Sequence, residues 1–92
     1  MSEPNKHASH PSIANRLKRA EGHLRSIIAM IEEGRPCLDI AQQLQAVEKA
    51  ITQAKRTLIH DHLDHCLDDA ENGGGATHGH TLSEFRQIAK YL

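Results

Sequence analysis

Aromatic and cross-linking residues are scarce in this 92-residue chain, which has no Trp, one Phe, one Tyr and two Cys. So little aromatic surface argues against stacking on single-stranded nucleic acid. Two cysteines cannot build a disulfide scaffold. In a reducing compartment a sparse Cys/His set reads instead as metal-binding or reactive. No apolar run approaches the roughly 20 residues that a membrane helix needs. The first twelve residues are polar, unlike a signal peptide. The expectation is a cytoplasmic protein with no membrane role. Neither a Ser/His/Asp pattern nor a nucleophile elbow occurs, so an enzyme is not expected.

Histidine is what the chain has in excess: eight residues. Net charge is −1, which by itself does not favour a nucleic-acid partner. The charges are unevenly placed, however. Arg16, Lys18, Arg19 and Arg25 face only Glu21 within their segment, whereas Asp61, Asp64, Asp68, Asp69 and Glu71 lie in a stretch without Lys or Arg. One region suits phosphate and the other suits cations.

A chain this short is one domain, and its small core invites a metal or oligomerisation. Residues 1–11 read as a disordered tail carrying His7 and His10, followed by a single helical domain over 12–92. Ser12 can cap a first helix, on which Ile13, Leu17, Ala20, Leu24, Ile27 or Ile28, and Ile31 recur at helical spacing. Gly34 can end it in a left-handed turn, and Pro36 suits the first turn of the next helix. There Cys37, Ile40, Leu44, Val47, Ile51, Ala54 and Leu58 form an unbroken heptad seam. With no Gly or Pro before Asn72-Gly73, this helix runs for roughly 33 residues, about 50 Å. Helix 1 is too short to cover the seam, so the remainder asks for a second protomer in an antiparallel four-helix bundle. Residues 70–80 read as a glycine-rich loop holding His78 and His80. Thr81 and Glu84 then read as a capping box for a short last helix with Leu82, Phe85, Ile88, Ala89 and Leu92 on one side.

His62 and Cys66 are one helical turn apart and can grip one ion. Imidazole with thiolate suits Cu(I), Zn(II), Co(II) or Ni(II) rather than Ca(II) or Mg(II). Cys37 precedes His62 by 25 residues, about 37 Å along a straight helix. A metal–thiolate bond is about 2.3 Å. Cys37 therefore reaches the pair only across an antiparallel dimer, giving an intersubunit site. The bland alternative makes both cysteines small buried hydrophobes and His62 part of a solvated face. His60, His65, His78 and His80 read more simply as solvated residues, and His23 as a packing or hydrogen-bonding residue.

Three segments now resemble the CsoR/RcnR family of metal-sensing repressors across nearly the whole chain. They are Arg-Leu-Lys-Arg-Ala-Glu-Gly-His-Leu at 16–24, Cys37 with the run from Asp39 to Val47, and His-Asp-His-Leu-Asp-His-Cys at 60–66. The resemblance implies an all-α, three-helix protomer, an antiparallel four-helix-bundle dimer and a dimer of dimers. It implies a repressor that holds operator DNA when metal-free and releases it on binding metal, derepressing efflux or resistance genes. The copper sensors' ligand set falls on Cys37, His62 and Cys66. The nickel/cobalt branch uses a further His where this chain has Cys66, plus an N-terminal His, for which His7 and His10 are candidates. Copper sensors tend to carry a supporting Tyr where this chain has Pro36, and family members usually have Gln where it has His23. The histidine load favours Ni(II) or Co(II), with Cu(I) next and Zn(II) possible. Candidate DNA contacts are Arg16, Lys18, Arg19, Arg25, Lys49, Lys55 and Arg56, with Arg16 and Arg19 matching family contact positions. A thiol sensor for persulfide or formaldehyde stays open within the family, although formaldehyde sensing there relies on Pro after Met and residue 2 is Ser. Outside the family, a metal-storage or chaperone protein without a DNA role is the rival.

Overall fold

The computed structural model describes residues 9–71 and 78–92, with only the backbone described at 66, 68–71 and 78–81. Three helices follow in order: α1 (His10–Glu32), α2 (Cys37–Glu71) and α3 (His78–Ala89). The all-α expectation holds, and no strand occurs among the described residues. No helix there is long and apolar enough to cross a membrane.

The α1–α2 turn follows from Gly34. Its φ is 72°, a conformation that costs most L-residues about 1–2 kcal/mol and glycine almost nothing. Arg35 N–H donates to Met30 C=O at 3.0 Å and Gly34 N–H to Ile31 C=O at 3.1 Å, the paired bonds of a Schellman motif. Pro36 sits one residue earlier than expected: its C=O accepts the first bond of α2, from Ile40 N–H at 3.1 Å. It is therefore the N-cap rather than part of the first turn, and Cys37 opens the helix. A Cβ on Gly34 would meet nothing within 4 Å, so Gly34→Ala carries only the conformational cost. That substitution is expected to destabilise by about 1 kcal/mol, lowering Tm by roughly 4–8 °C at fixed protein concentration. An unchanged melting curve would contradict this account of the turn.

Two compact units divide the chain. One is Pro11–Ala54; the other runs Lys55–Leu92 and takes in Ser9 and His10. Within the first, Ile13, Ala20 and Ile27 on α1 and Val47 and Ala54 on α2 are buried. Each set repeats every seven residues. The expected seam on α2 is thus split. Val47 and Ala54 are buried and Ile40 is half-buried, while Cys37, Leu44, Ile51 and Leu58 stay exposed. On α1, Leu17, Leu24, Ile28 and Ile31 are likewise exposed. In the second unit Ile59 is buried. It lies about 140° around the helix from Ala54 and outside the expected seam.

Two boundaries differ from the sequence reading. Helix α1 begins at His10, so Ser12 is inside it rather than at its cap, and Pro11 occupies the first turn, where proline is tolerated. Helix α3 begins at His78, so Thr81 lies within its first turn rather than before it. His78 and His80 are helical, not loop residues. Positions 72–77 of the expected glycine loop, and the tail through residue 8, lie outside the described residues.

Candidate metal centre and basic groove

Cys37 is a free, exposed thiol at the first residue of α2. His62 is half-buried on the same unbroken helix. It lines an open groove of about 550 Å³ with Glu84, Gln87, Ile88, Lys90 and Tyr91. Positions 84, 87, 88 and 91 share one face of a helical register. The sequence reading had given Glu84 a capping role and Tyr91 none. The signal available was this i, i+3, i+4, i+7 spacing, but nothing in it says which element the face meets. Beside His62 in the chain, Asp61 Oδ2 is buried with no hydrogen-bond partner, an arrangement that calls for a cation, proton or water.

The α2 backbone places position 66 one turn beyond His62, while the Cys66 side chain lies outside the described residues. So does His7. His10 is exposed at the start of α1 and belongs to the same compact unit as His62. No three His, Cys, Asp or Glu side chains converge as a metal site among the described residues. The donor chemistry of Cys37 and His62, thiol and imidazole, fits a borderline or soft transition metal.

A second groove, of about 460 Å³, lies within the α1–α2 unit and is lined by Arg16, Arg19, Ala20, His23, Ala50 and Gln53. Two of the seven expected DNA-contact residues are therefore brought together here. Lys18 and Arg25 sit about 200° and 180° around α1 from Arg16, on its far side. Arg25 is paired there with Glu21 at 3.4 Å, in a solvent-exposed bridge. Lys49, Gln53 and Arg56 follow at steps of four and three, one face of α2, whereas Lys55 falls outside that face. The hydrogen-bonding role expected of His23 is met by Gln43, at 2.5 Å, and the groove sets the ring beside two arginines.

The model of the metal-sensitive transcriptional repressors matches residues 9–91. The chain belongs to that family. It is 45% identical over 78 residues to the copper-sensing transcriptional repressor CsoR of Bacillus subtilis (strain 168), covering 85% of this chain and 75% of that protein. It is also 45% identical over 56 residues to the CsoR of Mycobacterium ulcerans (strain Agy99), covering 61% of this chain and 48% of that one. The chain thus spans about half to three quarters of these curated relatives. Among solved structures, the nickel-responsive transcriptional regulator InrS superimposes with a TM-score of 0.78 at 31% identity, covering 89% of this chain and 91% of that one. The family is one of transcriptional repressors, not of enzymes. Its named members sense copper in some cases and nickel in another.

Proposed function

We propose that this protein is a cytoplasmic, metal-responsive repressor whose metal-free form holds operator DNA and whose metal-loaded form releases it. The sensing site joins Cys37 of one protomer to the partner's His62 and the partner's Cys66. One observation carries this reading. Cys37, Leu44, Ile51, Leu58, His62 and Cys66 recur along α2 at steps of seven, seven, seven, four and four. That spacing is a single helix face, and its three large apolar residues are left uncovered. Antiparallel pairing of two such faces about Ile51 sets Leu44 against Leu58, each seven residues from the axis. Cys37 is fourteen residues from that axis, and so is position 65, one residue from Cys66 and three from His62. The contacts that bury the apolar stripe therefore also assemble the ligands, twice per dimer. A dimer of dimers would bring the exposed remainder, Leu38 and Leu67 among it, to further cover.

We assign Ni(II) or Co(II) as the cognate ion, with His10 or His7 completing the ligand set. The clustered histidines support this, as does His10 falling in the compact unit that holds His62. The bound ion supplies a strong preference for a fixed arrangement of thiolate and imidazole around it, and displaces thiol protons. A Cu(I)-responsive repressor is the second reading, favoured by the copper-sensing relatives. On the DNA side, Arg16 and Arg19 contact backbone phosphate, with Lys49 extending the same surface. Such contacts supply affinity and salt dependence, while sequence preference leans on DNA shape.

Anaerobic titration with Ni(II), Co(II) and Cu(I) separates the readings. Intense thiolate-to-metal bands with Co(II) or Ni(II), weakened in His10→Ala or His7→Ala, are expected. Tight Cu(I) binding with no such Co(II) or Ni(II) bands would reverse the metal assignment and leave the repressor reading in place.

A further inference from the structure

We propose that His23 is a DNA-contact residue that takes up a proton when it meets backbone phosphate, coupling operator affinity to pH. The inference rests on the DNA-binding reading and adds to it a residue and a proton. His23 lines the groove that also holds Arg16 and Arg19. Two guanidinium groups and an imidazole around one concavity match the charge and donor pattern of a phosphate site.

Gln43 sets the protonation requirement. Its Oε1 can only accept, so the His23 Nε2–H donates to it. In a neutral ring that bond leaves Nδ1 as a bare lone pair. A lone pair repels a phosphate oxygen; an Nδ1–H attracts it. Contact with phosphate therefore requires the imidazolium form. A phosphate in the groove favours that form through its negative charge. From α2 the ring is faced by Gln43, Ala50 and Gln53, none of which titrates. Arg16 and Arg19, from its own helix, stay charged across the relevant range.

The sign follows directly. The DNA-bound form holds more protons than the free form, so DNA binding tightens as pH falls through the imidazole range near neutrality. The probe is a fluorescein-labelled duplex enriched from a random pool by the metal-free protein, with anisotropy read in chelator between pH 8 and pH 6. Wild type is expected to tighten about fivefold more across that interval than His23→Gln, which keeps a polar side chain but cannot take up the proton. Equal pH slopes in the two proteins would overturn the proposal. Failure of wild type to enrich or bind any duplex would sink the DNA-binding reading itself, a separate result. If His23→Gln binds too weakly to measure, imidazole NMR of wild type decides. The His23 resonance, assigned by its loss in the variant, must titrate at higher pH with the duplex than without it; an unmoved midpoint overturns the assignment.

Discussion

Cys37→Ala is expected to hold duplex DNA within about twofold of wild type and to lose the release that metal causes. The thiol is exposed and is not part of the protomer's buried core, so its removal leaves fold and basic groove intact. In the proposed site it removes one ligand of a few, and the loss of a thiolate is expected to weaken metal binding by 100-fold or more. Even a change in supporting residues around metal sites typically costs about 10–100-fold. Allosteric coupling of the usual size changes DNA affinity by about 5–150-fold. Wild type should show a shift within that range on metal addition, and Cys37→Ala almost none. Because coupling is reciprocal, the same factor should appear as weaker metal binding to the wild-type DNA complex. The check is anisotropy with and without metal, alongside direct metal titration of the same preparations. A Cys37→Ala protein that still releases DNA at wild-type metal concentrations would remove Cys37 from the site. A variant that loses DNA binding without metal would instead make the thiol structural.

The helical fold was legible because its signals are local. Apolar spacing marked α1 and α2, and Gly34 marked the turn between them through the one backbone conformation it alone adopts cheaply. Two things were not legible, for a shared reason. Periodicity says that a residue is apolar, not which neighbour covers it. Val47 and Leu44 looked alike within one seam, yet one is buried inside the protomer and the other is left uncovered. Ile59 failed to register because it serves a different face from the seam. The two grooves escaped in the same way: His62 was read with its helix neighbours, whereas Glu84, Gln87 and Tyr91 reach it from residues more than twenty positions later. For Arg16 and Arg19, charge alone gave no means of separating them from Lys18 and Arg25. Helical phase and the residues of α2 make that separation. The ends of α1 and α3 shifted because caps were assigned from single side chains, while backbone hydrogen bonding extends a helix past such signals when no Pro or positive φ stops it.

Ile51→Glu tests the dimer and, through it, the sensor. Ile51 is 43% exposed in the protomer and lies at the centre of the exposed stripe, between Leu44 and Leu58. Under antiparallel pairing it meets its own copy at the two-fold axis, so one substitution acts twice. Fully burying an isoleucine contributes roughly 1.5–3 kcal/mol; pairing covers the exposed 43% of each Ile51, and the variant removes both contributions while bringing two carboxylates into apposition. Dimer dissociation is therefore expected to rise by at least about 100-fold, readable by sedimentation over a dilution series. Ile51→Ala, without the charge, should give an intermediate effect. Neither change touches Cys37, His62 or Cys66. Yet in Ile51→Glu the cysteine and the pair that completes its site part company, so the thiolate bands of the loaded protein should weaken with dilution in step with dissociation. That joint loss distinguishes an intersubunit site from one contained in a single chain, where the bands would survive in the monomer. An unchanged oligomer in Ile51→Glu would place the dimer contact elsewhere and take with it the register that aligns Cys37 with the partner's His62.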